Sequence, residues 1–246
     1  MSELHVVVMA AGKGSRMNHP DLPKVMVPIF GRPMIGHVLD SARSIAADSI
    51  VVVVGFRGEL VSDWIASSYE DASIRTAWQR QQLGTAHAVM MAMPEIPETE
   101  SDVLVLSGDV PNLSVETLTM LREHHRSRNA GVTLLSVELD DPTGYGRVVR
   151  DADGHPTKVV EDRDATPAER EIAEINAGIY LFDRSLLARL LPRVGSENAQ
   201  SEFYLPDVVA LALEENSTVT AFLAANPEEI EGVNTPEQLA AMQERG

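Results

Sequence analysis

The sequence predicts an α/β fold, a mainly parallel sheet flanked by helices, and three observations point to it. Short continuous apolar runs alternate with helical spacings of apolar residues through the first half. Glycine-rich or polar turns close the apolar runs. In the second half several strand-like segments follow one another across turns such as Asp153-Gly154, which adds a small antiparallel excursion in or beside the main sheet. Strands alternating with helices are the pattern of parallel pairing through helical crossovers.

Taken in order, Leu4–Met9 is an uninterrupted apolar run and reads as a strand buried on both faces. Ala10–Asp21 is a glycine-rich polar loop. Pro33–Ala47 carries Met34, Val38, Ala42 and Ile45 at helical spacing, with Pro33 in the first turn. Ile50–Val54 is a second buried strand, closed by Gly55-Phe56-Arg57-Gly58. Glu59–Ser68 reads as a helix, Ile74–Trp78 as a strand and Gly84–Met93 as a short helix. Val103–Leu106 is a third buried strand ending at Ser107-Gly108-Asp109, and Ser114 is a good N-cap for a helix over Val115–Arg128. Val132–Leu139, Gly146–Arg150, Thr157–Glu161 and Gly178–Phe182 form the antiparallel group. Thr166–Glu174 is an exposed loop or short helix. Leu186–Leu191 and Leu205–Glu215 are helical, Thr218–Leu223 is a strand and Pro236–Glu244 a last helix. There is no internal repeat or long linker, so the 246 residues are expected to form one domain, without hexapeptide repeats.

Composition narrows the function. The net charge of −17 disfavours nucleic acid and anionic membranes as partners. With no cysteine there is no thiolate metal site and no cysteine nucleophile, and no apolar stretch is long enough to span a bilayer. A cytoplasmic location fits these features. The cations are unevenly placed. Of three lysines, Lys13, Lys24 and Lys158, two lie in the first 24 residues with Arg16 between them. An acidic chain with a basic N-terminal loop suits a small polyanion.

Within that loop, glycines directly after a strand let backbone N–H groups approach a phosphate. A dinucleotide fingerprint needs a third glycine where Met17 stands, which disfavours a dehydrogenase. A P-loop needs Gly-Lys-Ser/Thr at the close of a longer run, and that is absent. Gly12 and Gly14 alone fit an ordinary strand–helix turn equally well. Arg16, Pro23 and Lys24 shift the balance to Gly-x-Gly-x-Arg followed by Pro-Lys.

With that pattern the chain resembles the sugar-phosphate nucleotidyltransferases. Among them it is most similar to the N-terminal uridyltransferase domain of the bacterial bifunctional enzymes that make UDP-N-acetylglucosamine. The matching stretches run in family order: Ala10–Met17, Leu22–Val25, Gln82–His87, Gly108–Pro111, Asp140–Arg147, Val160-Glu161, Ile175–Ile179, Asn198–Gln200 and Val233-Asn234. The resemblance implies a Rossmann-like mixed sheet of the nucleotide-diphospho-sugar transferase type. The nucleotide part would occupy roughly 1–130 and the sugar part roughly 131–234.

The implied reaction joins UTP to N-acetylglucosamine 1-phosphate, with magnesium and with release of pyrophosphate. Arg16 and Lys24 would be catalytic. Ala10, Ala11, Gly12, Lys13, Gly14, Gln79, Gly84 and Thr85 would bind the nucleotide. Gly108, Gly146, Glu161 and Asn176 would bind the sugar phosphate, and Asp109 and Asn234 would hold Mg2+. From sequence alone Asp109 is equally a turn carboxylate, Asn234 a helix cap, and Glu161 and Asn176 polar residues at strand edges. Gln81 and Gln82 fit a polar turn, and Trp78, Met90 and Met93 fit the core. His124 and His125 point apart on a helix and so cannot chelate one ion; they read as a solvated face. His87 has no evident catalytic partner. Departures from the relatives are Ser107 for a common tyrosine, Arg163 for lysine, Ala177 for threonine and Ser201 for glycine. The alternatives are another sugar 1-phosphate or nucleotide, or a silent nucleotide-sugar-binding regulatory module.

Overall fold

The apolar run after Glu3 forms an interior strand of the sheet. A computed structural model describes residues 2–17, 19 and 21–245; Asn18 and Pro20 of the expected loop lie outside them. β1 (Glu3–Ala10) pairs in parallel with β4 (Ser49–Val54) on one side, and β5 (Ile74–Trp78) continues the sheet beyond β4. On its other side β1 pairs in parallel with β6 (Ser101–Ser107). Val6, Val7 and Val8 are all fully buried, which explains an apolar run without alternation. Alternate side chains feed two cores. Val7, Val51 and Val105 face α3 (Thr85–Ala92), α6 (Arg184–Leu190) and α7 (Val208–Glu214). Val6, Val52 and Leu104 face α1 (Met34–Ser44), α2 (Gly58–Ser68) and α4 (Val115–Ser127).

The second half keeps the expected antiparallel grouping and adds a parallel neighbour to it. β7 (Val132–Glu138) belongs to the main sheet and pairs in parallel with β11 (Val219–Leu223). Along the path β11-β7-β10-β6-β1-β4-β5, β10 (Glu174–Asp183) is the strand that runs against its neighbours, between β6 and β7. β10 is ten residues long rather than five, because the strand passes through Asn176-Ala177-Gly178 as a bulge. Gly178 takes φ +71 there, a conformation that in sequence reads as a turn. Beyond the main path of the sheet, the hairpin of β8 (Arg147–Arg150) and β9 (Pro156–Val160) is attached to the start of β10.

A second small sheet was not predicted. β2 (Pro28–Ile29) and β3 (Arg32–Pro33) are joined by Phe30 and Gly31, both at positive φ. Two-residue strands carry no periodicity to detect. Pro33 caps α1 instead of lying inside it. The polar stretch after Asp164 contains α5 (Pro167–Arg170), with a full capping box between Thr166 and Glu169.

The solvated-face reading of His124 and His125 fails. The His125 ring is 3 % exposed and its Nδ1 lies 2.8 Å from the Thr133 hydroxyl on β7. His124 Nε2 lies 2.8 Å from the Thr220 hydroxyl on β11. Two adjacent histidines both reach the sheet because α4 lies along it and each finds a threonine. Burial lowers the pKa of both rings and also of His5 on β1. The unfolded chain therefore binds protons on these rings below about pH 6.5, before the native state does. Their contribution is full above that pH and is lost as pH falls from 6.5 towards the lowered native values. The melting temperature is expected to drop between pH 7 and pH 5. In a His125→Gln variant the drop should be shallower; an equal slope by calorimetry would clear His125 of this role.

A third apolar cluster positions the site. Met17, Val27, Ile29 and Met34 pack with Val233 and with Met242 of α8 (Pro236–Arg245). Met17, at the place of the missing third glycine, is 1 % exposed. It ties the N-terminal loop to the segment before α8, so that Arg16 and Asn234 become neighbours across the whole chain.

Candidate active site

The parallel strands β1, β4, β5 and β6 all end on one side, the edge where open α/β sheets place ligands. A cleft of about 510 Å³ opens there. Its walls are Ala10–Gly14 after β1, Gln79 after β5, Ser107 and Asp109 at the end of β6, Gly84 and Thr85 at the start of α3, and Lys24. The structure thus brings together Lys24, Asp109 and every expected nucleotide contact.

The glycines do different things. Gly14 takes φ +60, and a Cβ on it would lie 2.4 Å from Lys24 Cβ. A side chain there would push Lys24 out of the cleft. Gly14→Ala is expected to cost about 1–2 kcal/mol of stability through the left-handed backbone and the clash. Denaturant unfolding measures this cost, and a stability equal to wild type would refute it. Gly12 has open space where a Cβ would stand, on the cleft side of the loop. Gly108 instead sits against the Met9 carbonyl and the Val25 and Ile35 side chains, where a Cβ would clash.

Lys24 lies at the centre of the charged groups. Its Nζ contacts the Asp109 carboxylate closely and donates to Asn234 Oδ1 at 2.9 Å. Arg16 Nη2 donates to the same Asn234 oxygen at 3.0 Å. Ser107 Oγ donates to the other Asp109 oxygen at 2.5 Å. Burial works to raise the Asp109 pKa. The Lys24 charge and hydrogen bond, with the Ser107 hydroxyl, outweigh burial and hold the carboxyl below its ordinary range. Asn234 is not a helix cap. Thr235 caps α8 through its hydroxyl, and Gln238 reaches back to the backbone N–H groups of Asn234 and Thr235. The Asn234 side chain is left to face Arg16 and Lys24.

The donor set fits a divalent cation. Asp109 and Asn234 offer a carboxylate and a carboxamide oxygen, hard ligands of the kind magnesium takes. Both oxygens converge on one ammonium group, so they already bracket a single cation. Elsewhere the cluster of Asp151, Asp153 and His155 also brings ligand atoms together. It is exposed, and the Asp151 carboxylate is occupied in turning the β8–β9 hairpin.

Of the expected sugar contacts, Gly146, Glu161 and Asn176 also meet, whereas Gly108 stands at the end of β6 against other neighbours. The Asn176 backbone N–H donates to the Gly146 carbonyl at 2.8 Å. A Cβ on Gly146 would lie 3.2 Å from Val159 Cγ1 and 3.4 Å from Glu161 Oε1, so this backbone lies beside the carboxylate. Burial and the nearby Asp164, Asp207, Asp162 and Glu202 carboxylates raise the Glu161 pKa. Glu161 borders a second cleft, about 540 Å³, with Asn198, Phe203 and Tyr204. Sequence reasoning assigned nothing to Tyr204 or to Glu202, which lines the first cleft. It also gave Gln82 no role. Gln82 lines the first cleft too, and its Nε2 donates to the Gln79 carbonyl. The resemblance at Asn198–Gln200 was the one signal pointing to this segment. Ser201 stands at φ +54, a left-handed conformation that suits glycine better than serine.

The model of the nucleotidyl transferase family matches residues 5–226. The chain belongs to the nucleotidyl transferase family. It is 42 % identical over 241 residues to the bifunctional protein GlmU of Desulfotalea psychrophila, covering 98 % of this chain and 70 % of that protein. It is 46 % identical over 232 residues to GlmU of an Exiguobacterium species, covering 94 % of this chain and 50 % of that protein. The chain spans about half the length of most of the GlmU relatives it matches. Among solved structures, a UDP-glucose pyrophosphorylase in complex with UDP-glucose superposes with a TM-score of 0.81 at 15 % identity. The match covers 100 % of this chain and 98 % of that one. That likeness establishes the fold of the family here. Nucleotidyl transferases of this kind generally depend on a divalent metal. No helix among the described residues is long and apolar enough to cross a membrane.

Proposed function

We propose that the chain is a uridyltransferase that makes UDP-N-acetylglucosamine and pyrophosphate from UTP and N-acetylglucosamine 1-phosphate, with Mg2+ held by Asp109 and Asn234. The observation that carries this reading is the convergence of Lys24, Arg16, Asp109 and Asn234 beside the Gly12–Gly14 loop. The substrate pair is the one the family resemblance implies, and the GlmU relatives support it. The whole chain is read as a single nucleotidyltransferase domain, nucleotide part roughly 1–130 and sugar part roughly 131–234. A cytoplasmic location belongs to the same proposal.

A sugar 1-phosphate is mostly dianionic at neutral pH, its second pKa being about 6, so it needs no general base. One of its oxygens attacks the α-phosphorus of UTP. The bond from that phosphorus to the bridging oxygen breaks, and pyrophosphate leaves. The problem for the protein is to bring two polyanions into line. Backbone N–H groups of Ala11–Gly14 and the Lys13 side chain cradle the triphosphate. Arg16 grips phosphate oxygens, and Lys24 neutralises charge where the two phosphates meet. Bound at Asp109 and Asn234, magnesium would supply further neutralisation of the phosphate charge. Gln79, with Gly84 and Thr85, holds the uracil. Gly108, Gly146, Glu161 and Asn176 hold the sugar phosphate.

Pyrophosphate release measured across UTP, CTP, ATP, GTP and dTTP, each with several sugar 1-phosphates, tests the assignment. UTP with N-acetylglucosamine 1-phosphate should turn over fastest. Another pair turning over while this one is inert would move the chain to that substrate. Nucleotide binding with no turnover of any pair would favour a regulatory module.

A further inference from the structure

We propose that His87 is a positioning residue that fixes which face of the Gln79 amide meets the base, and thereby sets preference for uracil over cytosine. The inference rests on the uridyltransferase reading above.

Gln79 is 3 % exposed and rigidly held. Its backbone N–H donates to the Val54 carbonyl at 2.8 Å, extending the sheet, and its carbonyl accepts from Gln82 Nε2 at 3.0 Å. The side-chain amide is equally constrained. Nε2 donates to the Gly84 carbonyl at 2.9 Å, and it lies 3.0 Å from His87 Nδ1. A carbonyl only accepts, so the atom facing Gly84 is the amide nitrogen rather than the oxygen. That nitrogen has two hydrogens. The second finds an acceptor where His87 Nδ1 carries a lone pair, the tautomer with the ring proton on Nε2. Both amide hydrogens are then occupied, and Oε1 has no protein donor among the described residues.

Gln79 therefore offers the cleft an acceptor and no donor. Uracil carries an N–H at N3 that can donate to it. Cytosine has a lone pair at N3, which meets the Gln79 oxygen as a repulsion. If His87 could not accept, the amide would keep only the Gly84 contact. It would then turn more freely to present its NH2 group, which suits cytosine N3. The ring itself is placed by α3 and lies 6.5 Å, centroid to centroid, from Phe203. The Phe203 backbone in turn clamps Leu83 and Ala86, so histidine and acceptor carbonyl are fixed by the same segment.

The test uses the full chain and two readouts: Kd for UTP and for CTP by calorimetry, and kcat/KM with each nucleotide. In His87→Ala the UTP-to-CTP ratio is expected to fall about tenfold, the worth of one orienting hydrogen bond. The loss should appear in UTP Kd and KM with kcat nearly unchanged. His87→Asn, whose side-chain carbonyl can stand near the Nδ1 position, should restore the ratio. A general disturbance of α3 would weaken both nucleotides alike and leave the ratio intact, which would overturn the inference. A wild-type protein that binds CTP as tightly as UTP would also overturn it. Failure of sugar transfer alone, with the UTP preference in binding retained and lost in His87→Ala, would sink the uridyltransferase reading and leave the base-reading inference standing.

Discussion

Asp109→Asn is expected to lower uridylyl transfer by about a hundredfold or more while the fold is kept. Asn has the shape of Asp: its single carboxamide oxygen can keep the Lys24 contact, and the Ser107 hydroxyl can turn to accept from its NH2 group, so the β6 end need not move. What is lost is the negative charge that brackets a cation together with Asn234. The defect should therefore be partly relieved by raising magnesium, whereas a folding defect would not respond. Steady-state pyrophosphate release across a magnesium titration, with circular dichroism of the same sample, separates the two. Activity equal to wild type at saturating magnesium would remove Asp109 from the metal site. The choice of Asn over Ala matters because Asp109 and Lys24 are each only 15 % exposed in their side chains. Deleting one partner outright would leave the other charge in a half-dry site and confuse stability with chemistry.

Lys24→Met is the second large effect, expected at about a hundredfold to a thousandfold in kcat. Methionine keeps most of the aliphatic stem that passes beside Gly14 and removes only the ammonium. Lys24 occupies the point between Asp109 and Asn234 in the free protein. Removing it should make that point easier for a divalent cation to enter, so metal binding without nucleotide should tighten as turnover falls. Opposite movement of two quantities is hard to produce by unfolding. Calorimetric titration with Mn2+ and a kcat measurement give both. Loss of kcat with weaker metal binding would mean that Lys24 supports the site's shape rather than the transferring phosphates.

Much of the fold was legible because buried parallel strands write themselves as unbroken apolar runs, and Leu4–Met9, Ile50–Val54 and Val103–Leu106 all lie inside sheet strands. The misreadings share a cause: long-range partners decide them. The parallel pairing of β7 with β11, far along the chain, is stated by nothing within Val132–Glu138. The bulge in β10 hides in a triplet that, taken locally, is a turn. His124 and His125 look solvated until Thr220 and Thr133 are placed beside them.

At the site, the loop glycines, Arg16 and Lys24 stood out because they lie close together in sequence. Asn234 did not. Its local context is a helix start, and only the packing of Met17 against Val233 brings it to Arg16. Glu202 was missed for a similar reason. No motif marks it, and it reaches the cleft because Phe203 hydrogen-bonds across to Leu83 and Ala86.

A crystal structure with UTP and magnesium tests the central claim most directly, that the loop after β1 and the Lys24–Asp109–Asn234 group form one nucleotidyl-transfer site. The expected density has the triphosphate along Gly12–Arg16, the metal on Asp109 and Asn234, and the uracil edge at Gln79. Triphosphate bound away from this loop, or metal bound without either Asp109 or Asn234, would contradict it.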